Sequence, residues 1–174
     1  MNKLVIRETA STDIEQVLGL YPVAFPEEEL RPIVTALLET EREVLSLAAF
    51  DGDVLVAHIL FTRCATGNTE RTGALLGPLG VVPSHQRQGL GHTIVRAGLE
   101  RLERTGIRQV FVLGDPGYYH RFGFVTERRV LTPYLIPEEW ADAWQSMPLA
   151  AGEPLTAGKL ILPEPWMEPA LWGP

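Results

Sequence analysis

The residues with most chemical promise lie in one stretch, Leu79-Gly80-Val81-Val82-Pro83-Ser84-His85-Gln86-Arg87-Gln88-Gly89-Leu90-Gly91-His92. The apolar run from Leu75 to Val82 reads as a buried strand, and Pro83 stops it because proline cannot donate to a sheet ladder. A short polar loop ends in Gly89-Leu90-Gly91. Behind it Leu90, Ile94, Gly98 and Leu102 fall four apart with Val95 and Leu99 beside them, the spacing of a helix. The first turn of a helix has backbone N–H groups without intrahelical partners, and the macrodipole adds partial positive charge there. Glycines let a phosphate come close, since no Cβ stands in the way. Gln86 to Gly91 therefore reads as a cradle for a diphosphate with Arg87 as an extra cation; the plainer reading is a strand-to-helix turn closed by a glycine. A P-loop would need Gly-Lys-Ser/Thr, and a dinucleotide fingerprint would need glycine where Ile94 stands. What remains is Gln-x-x-Gly-x-Gly.

Several elements must position that loop. Leu4-Val5-Ile6-Arg7 reads as a first strand, and Ser11-Thr12-Asp13 offers a helix N-cap. Ile14, Val17, Leu18 and Tyr21 give the following helix an apolar face, with Pro22 and Pro26 ending it. A second helix reads from about Glu28 to Thr40. Asp51-Gly52-Asp53 between two β-rich runs signals a hairpin. Gly77, Pro78 and Gly80 inside the strand before the loop suggest a bulge or a splay. After the long helix, with Gly106 as its cap, Val110-Phe111-Val112-Leu113 is the continuous apolar run of a buried parallel strand. Further on, residues 137–144 read as a short helix with Trp140 and Trp144 on one face, and Lys159 to Leu162 as a last strand.

Composition narrows the class. At 174 residues and 45% hydrophobic, the chain fits a single domain over residues 1–174, with a core of about 3–150 and a C-terminal strand and tail at 151–174. No run approaches the about 18 uninterrupted apolar residues of a transmembrane helix. The N-terminus is charged too early for a signal peptide, so the expected location is cytoplasmic. A net charge of −7 argues against a nucleic-acid partner and mildly favours a cationic substrate. One cysteine, Cys64, excludes an intrachain disulfide, and four histidines without shared spacing give no metal site.

Gln86-x-x-Gly89-x-Gly91, with its Leu79-x-Val81-x-Pro83 lead-in, resembles the pyrophosphate motif of the GCN5-related N-acetyltransferase (GNAT) superfamily. Some 30 residues on, Tyr119-x-x-Phe122-Gly123-Phe124 resembles that family's closing helix. Leu113-Gly114-Asp115-Pro116 and Ala57-His58-Ile59-Leu60-Phe61 are similar to its YhbS-like subgroup of predicted acetyltransferases. The likeness covers Leu4 to Val125 and is thin beyond.

The resemblance implies an α/β (α+β) fold: a central mixed, mostly antiparallel sheet of six to seven strands with a splayed parallel pair, flanked by helices. It implies acetyl-coenzyme A as cosubstrate, with no metal, and transfer of acetyl to a primary amine of a small molecule or peptide by direct attack in a ternary complex. Leu79, Gly80, Val81 and Val82 would offer amides to the acetyl and pantetheine groups, and Gln86, Arg87, Gln88, Gly89, Leu90, Gly91 and His92 would hold the diphosphate. Tyr119 matches the tyrosine that protonates the leaving thiolate; a phenol at pKa about 10 lies near a thiol at about 8.5. Phe25 lies in the linker that would select the acceptor, or forms a plain hydrophobic corner. Many members place a glutamate on the central strand, and Gly77-Pro78-Leu79-Gly80 supplies none. His58 is the candidate general base; a structural, hydrogen-bonded histidine with water as the base is the alternative. The missing glutamate also leaves open a non-catalytic coenzyme A-binding module. Trp166 and Trp172 in the tail either pack within the chain or meet a second subunit in a homodimer.

Overall fold

The chain is described by a computed structural model over residues 4–149 and 152–174. In order, the elements are β1 (Leu4–Glu8), α1 (Ile14–Ala24), α2 (Arg31–Glu39), β2 (Val44–Asp51), β3 (Val54–Thr66), β4 (Gly73–Val81), α3 (Leu90–Arg104), β5 (Gln109–Leu113), α4 (Pro116–Tyr119), β6 (Val125–Thr126), β7 (Val130–Leu131), β8 (Trp144–Pro148) and β9 (Gly158–Ile161). Among the described residues there are nine strands against the six to seven expected from the sequence; the surplus comes from the two-residue β6 and β7 and from β8. The expected mixed sheet, mostly antiparallel with a parallel β4–β5 pair, is present. Two compact units make up the chain, residues 1–61 with 78–100 and residues 62–77 with 101–174. Strands β3 and β4 and helix α3 each run from one unit into the other.

In the first unit β1 pairs antiparallel with β2, Leu4 opposite Asp51 and Glu8 opposite Leu47. Gly52, at φ 64°, turns β2 into β3, as the Asp-Gly signal requires. Val17, Leu20 and Tyr21 of α1, Val34 and Leu37 of α2, Leu47 of β2, Ile59 of β3 and Ile94 of α3 are all buried. Pro22 does not end α1 but sits inside its last turn, where it forgoes only one intrahelical bond. Pro26 is the effective stop. It pushes Phe25 out of the helical region to φ −133°, ψ 73°. Helix α2 begins at Arg31 rather than Glu28, with Pro32 in its first turn, where proline is tolerated. Ser11 to Asp13 form a 3₁₀ turn ahead of α1, and Asp13 there accepts from the Ala10 N–H and the Arg7 guanidinium. Gly98 is forced by packing: a Cβ on it would lie 2.2 Å from the Phe61 ring.

In the second unit β4 and β5 run parallel, Gly73 opposite Gln109 through Leu76 opposite Val112. The ladder ends there although β4 continues to Val81, and Gly77 takes φ 142°. The pairing thus stops one residue before the first of the interior glycines. On the other edge β5 pairs antiparallel with β8, and β8 with β6. The short helix expected over residues 137–144 is present as the 3₁₀ helix Glu138–Ala143, but it carries only Trp140, because Trp144 opens β8. Paired opposite Leu113, Trp144 is drawn into the core, where it stacks on Phe111 at 5.6 Å. The tail tryptophans pack within the chain. Trp172 is 2% exposed, lies against Trp144 and Trp166, and donates from Nε1 to the Trp166 carbonyl at 2.9 Å. Trp166 donates to Thr62 Oγ1 at 3.0 Å.

Truncating so buried an aromatic should cost about 3–5 kcal/mol. Thermal denaturation of Trp172→Ala should therefore show a Tm lowered by roughly 6–20 °C, at about 2–4 °C per kcal/mol for a chain of this size. An unchanged Tm would mean that the tail does not complete this core.

Candidate functional site

The loop singled out in the sequence is an exposed, tightly coiled connection in the first unit. Val82 donates its N–H to the Val56 carbonyl at 3.0 Å, which secures the start of the loop and leaves that amide occupied. Pro83 to His85 make one 3₁₀ turn, closed by His85 N–H to Val82 O at 2.9 Å. Arg87 and Gly89 then take φ 61° and 80°. Left-handed geometry is cheap for Gly89 but strained for Arg87, and alternation of this kind turns successive backbone N–H groups toward one concavity. Helix α3 starts at once with Leu90, whose side chain is buried, and its first intrahelical bond runs from Thr93 N–H to Gly89 O at 3.0 Å. The amides of Leu90 and Gly91 thus have no intrahelical acceptor.

Side chains brace this coil. Gln86, though exposed, turns back and donates Nε2 to the Val81 carbonyl at 2.9 Å, which pins the loop to β4. Gln88 does the same within the loop, to Ser84 O at 3.2 Å. The His85 ring stands between Ser84 Oγ at 2.8 Å and Asp51 Oδ2 at 3.0 Å. Asp51, at the end of β2, is visible in the sequence only as part of a hairpin signal, and nothing in its spacing connects it to a loop 34 residues away. Its other oxygen, Oδ1, is buried without a hydrogen-bond partner. Arg87 is exposed.

Phe25 and Gly80 come together. A Cβ on Gly80 would stand 2.6 Å from Leu20 and 3.4 Å from the rings of Tyr21 and Phe25, so only glycine lets the end of α1 settle on β4. Phe25 stacks on Tyr21 at 6.2 Å and remains half-buried. Leu79 and Val81 are also half-buried.

His58 lies in the core of the same unit, 0% exposed. Its Nδ1 is 2.6 Å from the Tyr21 hydroxyl and its Nε2 is 2.8 Å from Ser46 Oγ, which also accepts from Thr9 Oγ1 at 2.7 Å. Both ring nitrogens are engaged, and burial pulls the imidazole down to about 3. His58 is therefore neutral at physiological pH. Tyr21 and Ser46 carry no functional signal in the sequence; both read as core or strand residues.

In the second unit, Asp115 caps the short α4 by accepting from Gly117 N–H at 2.9 Å. Gly114 makes room for Tyr119, whose ring would lie 2.5 Å from a Cβ there. Phe124 meets that ring edge-on at 5.7 Å, and Gly123 turns the chain at φ 108°. Burial, then the Tyr118 phenol and the Asp115 carboxylate, push Tyr119 above the ordinary phenol range, so it keeps its proton. Cys64 is buried and its thiol is likewise pushed up by burial. The same unit holds a cavity of about 710 Å³, lined by Leu131, Tyr134, Ile136, Trp144 and others, and none of the candidate catalytic or coenzyme-binding residues lines it. Among the described residues, no three His, Cys, Asp or Glu gather to hold a metal, and no helix is long and apolar enough to cross a membrane.

A family model described as an acetyltransferase (GNAT) domain matches residues 5–126. The chain is 38% identical over 156 residues to the uncharacterized N-acetyltransferase YjhQ of Escherichia coli K12, covering 85% of each chain. It is 28% identical over 122 residues to the uncharacterized N-acetyltransferase YhbS of that strain, covering 70% of this chain and 73% of the relative. Among solved structures, a GNAT family acetyltransferase from Brucella melitensis in complex with acetyl-CoA superposes with TM-score 0.76 at 26% identity, over 95% of this chain and 99% of that one. Escherichia coli YhbS in complex with CoA gives TM-score 0.84 at 24% identity, over 97% and 94%, and shares the fold.

The buried imidazole carries a pH signature. Its folded pKa lies below the ordinary histidine value, so the unfolded chain binds the extra proton between about pH 6.5 and about 3. Stability from this group is complete above pH 6.5 and drains as pH falls, by up to about 1.4 kcal/mol per unit. Denaturant titrations between pH 7 and 4 should show that slope in the wild type and a shallower one in His58→Gln.

Proposed function

The chain belongs to the GNAT acetyltransferase family, and from that membership we propose that it transfers the acetyl group of acetyl-coenzyme A to a primary amine of a small molecule or peptide. The observation that carries the proposal is the coil between β4 and α3. Left-handed Arg87 and Gly89 lead straight into a helix whose first amides have no intrahelical acceptor. That donor set fits a diphosphate, and the small side of Gly89 leaves open space above the backbone.

In this reading the loop amides from Gln88 to Gly91 bind the diphosphate, with Arg87 and His92 beside them. The amide of Val81 serves the thioester carbonyl, and Gly80 keeps the strand flush beneath it. Phe25 forms a wall for the acceptor. Tyr119, protonated at neutral pH, is the proton donor to the departing thiolate. The amine must lose a proton before or during attack. No carboxylate stands at Gly77-Pro78-Leu79-Gly80, and His58 has both nitrogens engaged, so water takes that proton. The enclosure of His58 also favours a second reading, a coenzyme A-binding module without turnover.

Two measurements test the proposal. Calorimetry should show coenzyme A binding, and no heat at millimolar ligand would remove the function altogether. In a screen of amines with acetyl-coenzyme A, Tyr119→Phe should lower kcat roughly 100-fold with little change in KM for the thioester, in the range of general acid catalysis. Binding without turnover on any amine would favour the module.

A further inference from the structure

We propose that Asp51 is a positioning residue for the diphosphate loop, holding it through His85 at the expense of the fold's own stability. The inference rests on the coenzyme A reading above. Side-chain hydrogen bonds brace residues 84–89 from two directions. Gln86 to Val81 O and Gln88 to Ser84 O stay within β4 and the loop, whereas His85 Nε2 to Asp51 Oδ2 at 3.0 Å ties the loop to β2. The same ring meets Ser84 Oγ at 2.8 Å, so both ends of the bridge are fixed: β2 on one side, the first residues of the 3₁₀ turn on the other. The backbone just beyond that turn is strained, because Arg87 is a non-glycine residue at φ 61°. A strained coil holds its shape only when its surroundings over-determine it, and the bridge supplies a constraint anchored in another strand.

Asp51 is poorly placed as a stabiliser. Its Oδ1 is the single buried side-chain oxygen or nitrogen among the described residues that lacks a hydrogen-bond partner. A carboxylate with one oxygen left so, and the other on a single imidazole at a partly exposed position, gives little to folding. Strained or unsatisfied groups concentrate where function requires them, and their removal tends to help the fold while harming the activity. That gives the proposal a sign that an ordinary structural residue would not share.

The experiment uses the full chain with coenzyme A as the titrant. Asp51→Ala should raise the Kd measured by calorimetry at least 10-fold while its Tm stays equal to the wild type or rises. His85→Ala should raise Kd by a similar factor, and the double variant should lose little more than either single one, because the two residues act as a unit. A Kd for Asp51→Ala within twofold of wild type would overturn the proposal. So would a Tm that falls together with the affinity, the behaviour of a merely structural brace, and so would fully additive losses in the double variant. Failure of the wild type to bind coenzyme A would instead remove the underlying functional reading, which keeps the two failures apart.

Discussion

An α-helix cannot satisfy the amides of its own first turn, and the chain around α3 is arranged about that deficit. Elsewhere such amides are capped by a side chain; the residue before α3 is Gly89, which has none. The loop instead coils its backbone through two left-handed residues, and polar side chains that could have capped the amides are engaged elsewhere. Gln86 reaches back to β4 and His85 across to β2. The amides stay without a side-chain cap, and the side chains are spent on holding the loop still.

Close backbone approach is the second constraint. Gly80 admits the end of α1, Gly98 admits Phe61, and Gly114 admits Tyr119. In each case an aromatic or branched residue sits where a Cβ would have been, so each glycine locks an element to the strand, helix or turn beside it. The chain Thr9–Ser46–His58–Tyr21 adds a buried polar line to the first of these contacts and fixes the tyrosine ring against which Phe25 stacks. A fully satisfied polar chain of this kind specifies one arrangement where an apolar core would allow several.

The features legible in the sequence were the local ones. The strand, loop and helix around Gly89, the Asp-Gly hairpin and the continuous apolar β5 each arise from a short pattern whose cause is local backbone chemistry. Where tertiary contact decides, the sequence was mute or misleading. Pro22 looked like a helix end, but its position in the last turn made it harmless, and the residue before Pro26 carried the break. Trp144 looked helical beside Trp140, yet its pairing opposite Leu113 made it a strand residue. Of the candidate site, the loop residues could be named from type and spacing, and Phe25 only through the family resemblance; its place beside Gly80 is a tertiary fact. Asp51, Tyr21 and Ser46 could not, since each acquires its role from a partner at least twelve residues away in sequence.

The two units also differ in when their parts become available. All residues of the first are made once synthesis passes position 100, whereas the second lacks Trp172 until roughly 70 residues later. At about 5–20 residues per second, that interval is some 4–14 s. For part of that time a nascent chain carries every residue of the first unit together with an unfinished hydrophobic core in the second, in which Phe111 and later Trp144 await their last neighbour.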